Sequence, residues 1–170
     1  MMWDFVQAAF PYLRLILSLF VVAGVVYAGY LTVIGFLPAL WRLGNGLRHK
    51  KIAVFASGDT LTSLVDLLGD TKLFTKKNIV AVSRLNDLGR AENAQTYLVH
   101  WPDWGVDGLR RILTLKKDQT ALVVYAPHAG GRVDNEAIDE LERHRNVVLV
   151  NFRGRLLNDI IISMITAGHE

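Results

Sequence analysis

The stretch KIAVFASGDTLTSLVDLLGD, residues 51–70, holds one strand–turn–helix unit and decides the class of the fold. Residues 52–56 form a short, continuous apolar run, which predicts a buried β-strand. After the turn, four apolar residues recur with the spacing of one helix face, namely Leu61, Leu64, Val65 and Leu68. This pattern predicts a helix over residues 59–68, with Asp59 as its N-terminal cap and Gly69 at its end.

The same alternation of strand and helix patterns continues along the chain. Short apolar runs predict strands over residues 79–82, 97–100, 121–125 and 147–151. Amphipathic segments predict helices over residues 88–94, 107–115, 135–143 and 156–167, the last ending at Gly168. Apolar strands separated by helices indicate a parallel sheet that is covered on both faces. Residues 52–170 are therefore predicted to form a Rossmann-like α/β domain, a doubly wound sheet in the flavodoxin-like order 2-1-3-4-5.

A long apolar segment precedes this domain. Residues 15–40, LILSLFVVAGVVYAGYLTVIGFLPAL, contain 26 consecutive uncharged residues, whereas a membrane span needs only about 20. Aromatic residues flank the segment, as is typical of membrane interfaces: Trp3, Phe10, Tyr12 and Trp41. We therefore predict a single transmembrane helix at about residues 13–41, within an N-terminal segment of residues 1–41. A cleaved signal peptide would have a shorter apolar core, and a helix in a soluble core would rarely be apolar on all sides.

The charges predict the orientation of this span. The net charge is +3, but residues 1–51 carry five basic side chains and only Asp4 as an acidic one. Residues 42–51 hold four of the five and form a basic linker beside the membrane, where it would contact anionic lipid headgroups. The positive-inside rule then places the C-terminal domain in the cytoplasm and the protein in the inner (cytoplasmic) membrane. The remaining residues carry 14 basic and 15 acidic side chains, so nucleic acid is not expected as a partner.

Two features suggest self-association. Gly24 and Ala28 form a small-xxx-small pair that permits close approach of membrane helices, although small residues are common in such helices. In the last helix, Leu156 and Ile162 are apolar in addition to the predicted core face, which comprises Leu157, Ile160, Ile161, Met164 and Ile165. We expect a homo-oligomer formed through both helices; the alternative is that the last helix is fully buried.

Ligands of open parallel sheets bind beyond the carboxyl ends of the strands, near the switch point, which here lies between strands one and three. The turn formed by Ser57, Gly58, Asp59 and Thr60 follows strand one and suits a phosphate-binding loop. One histidine and four arginines follow the other strands: His128, Arg84, Arg132, Arg153 and Arg155. Together they predict a site for an anionic, nucleotide-like ligand. Alternatively, the arginines are solvated or pair with Asp87, Asp134 and Asp159, and the turn is only a helix cap.

Several chemistries are excluded by the absence of their motifs. The chain has no cysteine, so it has no disulfides, thiolate nucleophiles or Cys-ligated metals. It lacks a P-loop, a dinucleotide-binding Gly-x-Gly-x-x-Gly after a strand, a Gly-x-Ser-x-Gly elbow and a His-Glu-x-x-His motif. Neither a metal nor a cofactor is expected.

Two short stretches resemble known signalling domains. KIAVFASGDT, residues 51–60, resembles the start of a TIR domain, and HWPDWGVDGLRRIL, residues 100–113, resembles the third strand and following helix of a response-regulator receiver. However, His100 stands where a receiver has its phosphorylated aspartate, and Ala126 where it has Thr or Ser, so phosphotransfer is not expected. The resemblance to TIR domains implies a catalytic glutamate after strand four, for which Glu136 and Glu140 are candidates. The architecture is also similar to membrane-tethered CRISPR-associated effectors that bind cyclic oligonucleotides.

Three functions remain open from the sequence. The first is a non-enzymatic, membrane-anchored signalling or effector protein whose cytosolic domain binds an anionic small molecule or a protein partner and self-associates. The second is a TIR-like hydrolase of NAD or another nucleotide that uses Glu136 or Glu140, with His100 as a further catalytic candidate. The third is a structural accessory subunit of a larger membrane complex.

Overall fold

The computed structural model describes residues 12, 14–35, 50–130 and 132–167. The chain divides into two compact units, Met1–Gly44 and Asn45–Glu170. Several residues of the sequence predictions lie outside the described residues, namely Trp3, Phe10, Trp41, residues 42–49 of the basic linker and Gly168.

The first helix, α1 (Arg14–Gly35), contains 22 residues with a mean hydropathy of 2.1. At a rise of about 1.5 Å per residue, this length matches a hydrocarbon core of about 30 Å. None of the helix is buried, whereas the core helix of a soluble protein would be mostly buried. By length and composition, α1 is able to cross a membrane.

The second unit contains a five-stranded parallel sheet. Its strands are β1 (Ile52–Phe55), β2 (Ile79–Val82), β3 (Thr96–His100), β4 (Ala121–Tyr125) and β5 (Val147–Val150). They are arranged in the order β2-β1-β3-β4-β5, with every neighbouring pair parallel. The predicted α/β class and strand order are therefore confirmed. Short apolar runs were sufficient to predict these strands, because a strand that is covered on both faces has no solvent-facing side and therefore no alternating polar residues.

In the described part of the second unit, four helices cover the sheet: α2 (Gly58–Asp70), α3 (Trp101–Leu115), α4 (Asn135–Glu142) and α5 (Arg153–Thr166). The predicted helix over residues 88–94 is wrong, since a 3-10 helix at Leu85–Ala91 connects β2 to β3. This segment contains Asn86, Asp87 and Gly89, which favour turns over a continuous α-helix. The predicted cap Asp59 is also wrong, because Ser57 is the N-cap and α2 starts at Gly58.

The side chains of the strands alternate between two cores. One core lies against α3 and α4 and includes Phe55, Tyr97 and Val124. In it, the Phe55 ring meets the rings of Tyr97 and Trp104 edge-on, at centroid distances of 5.3 and 5.6 Å. The other core lies against α2 and α5 and includes Val54 and Val123. The successive residues of one strand thus bury opposite faces of the sheet.

The last helix corrects one prediction. Leu156 is fully buried together with Ile160 and Met164, which follow it at helical spacing, so it belongs to the core and is not surplus apolar surface. The reason is that α5 begins at Arg153, one turn earlier than predicted, and Leu156 therefore faces the sheet. Ile162 is 50% exposed and remains the apolar surface residue of the predicted interface.

A hydrogen bond connects the segment just before β1 to the last turn of α5. Lys50, which belongs to the predicted basic linker, donates a hydrogen bond from Nζ to the carbonyl of Met164. A cation at this position also interacts favourably with the C-terminal end of the α5 dipole. Burial lowers the pKa of Lys50 below its ordinary value.

Candidate functional site

At the switch point, a polar cluster joins the ends of β1 and β3. Asp103, in the first turn of α3, accepts a hydrogen bond from the backbone N–H of Ser57 at 2.7 Å. The same Asp103 oxygen lies 2.9 Å from Nδ1 of His100, the last residue of β3. His100 is buried, and its ring lies 5.8 Å from the ring of Tyr125. The structure thus brings together Ser57 and His100, two of the predicted site residues, through an aspartate that we did not select from the sequence.

A kink in α3 follows this cluster. Gly105 has φ 54° and ψ −162°, a backbone region that is essentially restricted to glycine. It separates the first turn, residues 101–104, from the remainder of the helix. The helix predicted over residues 107–115 therefore starts earlier than predicted, at Trp101 directly after β3. Pro102 favours this start. The backbone N–H groups in the first turn of a helix have no acceptor within the helix, so the missing N–H of proline loses no hydrogen bond there.

A cleft of about 500 Å³ lies at the carboxyl ends of β4 and β5. Its lining contains two predicted ligand-binding residues, His128 and Arg132, and five residues that we did not predict: Ala126, Val133, Ile138, Leu149 and Asn151. No carboxylate is among these seven lining residues. The cleft lies away from the switch point, where the sequence had located the site. Asn151 could have been identified from the sequence, because it is a polar residue directly after the apolar run of strand five. Leu149 and Ile138 could not, because in the sequence they resemble ordinary core residues.

The turn after β4, which forms part of the cleft wall, packs closely against the start of α3. After β4 the chain forms a single 3-10 turn, His128–Gly130. A Cβ on Gly130 would lie 2.3 Å from Cγ of Pro102, so this turn approaches α3 more closely than any other residue type permits. The His128 ring meets Phe152 edge-on at 5.0 Å, and Phe152 is 59% exposed. His128, the first residue of this turn, is thus held with its ring against an exposed aromatic side chain.

A second, shallower depression of about 400 Å³ lies between α2 and α5. Its lining includes three carboxylates, Asp59, Asp66 and Asp70, as well as Arg153. Arg153 donates to Oγ of Ser63 at 2.6 Å and is therefore directed at α2. Such a surface disfavours an anion, because three negative charges face one positive charge.

The other predicted residues are distributed along the same edge. Gly58 has φ +51° and lies with Asp59 and Thr60 in the first turn of α2, so the predicted ligand loop is the start of a helix. Arg84 is the N-cap of the 3-10 helix after β2, and Arg155 is exposed on α5. Neither of these arginines lines the cleft or the depression.

The candidate catalytic glutamates lie on the outer surface of α4. Glu136 is 68% exposed and forms an ion pair with Arg110 of α3. Glu140 lies 3.6 Å from Arg143, the C-cap residue of the same helix. Neither glutamate lines the cleft. Within the described ranges 12, 14–35, 50–130 and 132–167, no group of three or more His, Asp or Glu residues is placed to hold a metal ion.

No protein-family model, no curated protein and no solved structure matches this chain. The comparisons therefore give no support to the predicted resemblance to TIR and receiver domains.

Proposed function

We propose that this chain is a membrane-anchored binding protein with a signalling or effector role, whose cytosolic α/β domain recognises an anionic ligand in the β4–β5 cleft. The anion would belong to a nucleotide-like small molecule or to a protein partner. The observation that carries the proposal is the joint position of Arg132 and His128 in a cleft with no carboxylate among its described lining residues.

The composition of the cleft suits such a ligand. Arg132 carries a permanent charge and a planar set of donors that matches carboxylate or phosphate oxygens. His128 and Asn151 add polar groups, while Val133, Ile138 and Leu149 supply apolar walls for the remainder of the ligand. A volume of about 500 Å³ falls in the ordinary range of small-molecule sites.

The membrane anchor supports the cellular part of the proposal. α1 is long and apolar enough to cross a bilayer. Arg42, Arg48, Lys50 and Lys51 follow the apolar segment, whereas Arg14 is the single basic residue before it. This asymmetry favours a cytoplasmic location for the α/β domain.

An enzymatic function has less support. A TIR-like hydrolase needs a carboxylate beside its ligand, and Glu136 and Glu140 are engaged with Arg110 and Arg143 outside the cleft. His100 is buried at the switch point, beside Asp103. We therefore favour binding without catalysis.

The test uses the full chain in detergent micelles. Adenine and guanine nucleotides, cyclic nucleotides and carboxylate-bearing peptides are each titrated, and the change in melting temperature is recorded. We expect at least one anion to stabilise the protein, and Arg132→Gln to weaken its binding about tenfold or more, since a charged hydrogen bond contributes about 1.5–3 kcal/mol. Arg155→Gln is the matched control and should bind normally. The proposal fails if no anion binds, or if both variants bind as tightly as the wild type.

A further inference from the structure

β5 is an unprotected edge of the sheet. The strand order places β2 and β5 at the two edges, and β5 pairs with β4 on one side only. Its sequence, VVLV, contains no charge and no proline, which are the usual means of blocking an edge. Val148 and Leu149 are 36% and 41% exposed, whereas three residues of β2 are half-buried and the fourth is buried. Among the described residues, β5 is therefore the more exposed of the two edge strands.

The cleft is continuous with this edge. Leu149 lies opposite Val124 in the β4–β5 register, so its side chain is on the sheet face that α3 and α4 cover. Leu149 and Asn151 also line the cleft. A strand that adds to β5 would place alternate side chains on this face, beside Leu149 and Ile138, because the side chains of a strand alternate between faces.

The positive charge at the carboxyl edge of the sheet favours a parallel over an antiparallel direction for such a strand. All five strands are parallel, so a sixth parallel strand would end at the carboxyl edge, where Arg132 and His128 line the cleft. A terminal carboxylate at this edge is attracted by Arg132, whereas an antiparallel strand would bring its ammonium group there and be repelled.

A second copy of the chain fits the edge less well. Two-fold pairing of β5 with its own copy would place the two α4 helices side by side on one sheet face. α4 has the sequence NEAIDELE; Glu136 and Glu140 are paired with arginines, and the remaining carboxylates, Asp139 and Glu142, would repel their counterparts on the second copy.

We propose that the β5 edge and the adjoining cleft bind the extended C-terminal tail of a partner protein, which adds to the sheet as a sixth parallel strand. Its aliphatic side chains lie beside Leu149 and Ile138, and its terminal carboxylate pairs with Arg132. Backbone hydrogen bonds to β5 supply affinity, and the cleft supplies specificity. This proposal rests on the anion site of the proposed function and specifies the ligand of that site.

The probe is a set of fluorescein-labelled hexapeptides whose last and third-last residues are Val, Leu, Ile or Phe. Each peptide is prepared with a free C-terminal carboxylate and as the amide. Fluorescence anisotropy then measures their binding to the full chain in lipid nanodiscs. We expect free-acid peptides to bind and their amides to bind about tenfold more weakly, because the amide loses the charged pair with Arg132.

Edge variants test the docking surface. Leu149→Lys places a charge at the edge and should weaken peptide binding about tenfold or more. Leu85→Lys is the matched control, because Leu85 is 42% exposed on the 3-10 helix after β2, and binding should not change. The proposal is overturned if amides bind as well as acids, or if Leu149→Lys has no effect. It is likewise overturned if Leu149→Lys dissociates a dimer in light scattering while no peptide binds.

The outcomes separate this inference from the proposed function. If a nucleotide binds in an Arg132-dependent manner and no peptide does, the cleft is a small-molecule site and only the inference fails. If neither class of ligand binds, both proposals fail. If peptide binding depends on Arg132 and on Leu149, both stand.

Discussion

The carboxylate of Asp103 accepts a hydrogen bond from the backbone N–H of Ser57 at 2.7 Å and thereby joins the start of α3 to the end of β1. Ser57 is the N-cap of α2, so its backbone lies at the point where the chain leaves the sheet. The two residues are 46 positions apart in the sequence, and the contact therefore links separate βα units at the switch point.

Removal of this carboxylate should destabilise the domain. In Asp103→Ala, the N–H of Ser57 loses its acceptor, and we expect the free energy of unfolding to fall by about 1–2 kcal/mol. Asp107→Ala, at an exposed position of the same helix, is the control and should change it by less than about 0.5 kcal/mol. Urea denaturation in mild detergent, followed by tryptophan fluorescence, measures both. Equal effects of the two variants would show that the contact contributes nothing.

Gly130→Ala should disturb the cleft wall. The added Cβ would lie 2.3 Å from Cγ of Pro102, so the turn or the start of α3 must move. We expect a loss of about 1–3 kcal/mol in the same denaturation experiment. Pro102→Ala in combination with Gly130→Ala should recover part of the loss, because the clash is removed. Gly154→Ala meets no atom within 4 Å and serves as the control; a comparable loss there would contradict this account.

Gly105→Ala tests the kink of α3. Alanine cannot adopt φ 54° and ψ −162° without strain, so we expect a loss of about 1–3 kcal/mol. Gly89→Ala is the matched control, since Gly89 lies in a helical segment with open space around it. If the two variants unfold at the same urea concentration, the kink imposes no requirement for glycine.

The sheet could be predicted from the sequence because each strand is a short apolar run. Such a run is recognisable as a buried strand without knowledge of which residues pack against it. The bounds of β2 and β4 agree with the prediction. The helix ends were less predictable: Leu156 read as surplus surface because the start of α5 at Arg153 depends on how the chain leaves β5. Local sequence specifies an element better than it specifies its ends.

The candidate site was predictable only in part. The rule that ligands lie beyond strand ends identified His128 and Arg132, which line one cleft. It did not identify Asp103, whose role depends on the kink at Gly105 and on contact with a residue distant in the sequence. Nor could it show that Arg153 turns away to Ser63, because that contact depends on the packing of α5 beside α2.

Tyr97 should make stability sensitive to alkaline pH. Burial raises the pKa of Tyr97, and the negative charge of Glu92 raises it further. Above its ordinary pKa of about 10, Tyr97 ionises in the unfolded chain before it does in the fold, so stability is lost as the pH rises. Tyr97→Phe keeps the ring against Phe55 and should lose less stability as the pH rises above about 10. Parallel pH profiles of wild type and variant would refute this link.

The most direct test is the partition of the full chain between membrane and supernatant. Lysate is centrifuged at high speed, and the pellet is washed with alkaline carbonate. In a separate experiment, protease is added to intact spheroplasts. We expect the protein to stay in the pellet until detergent releases it, and the α/β domain to be protected from external protease. Recovery of the chain in the first supernatant, or digestion of the domain from outside, would contradict the account.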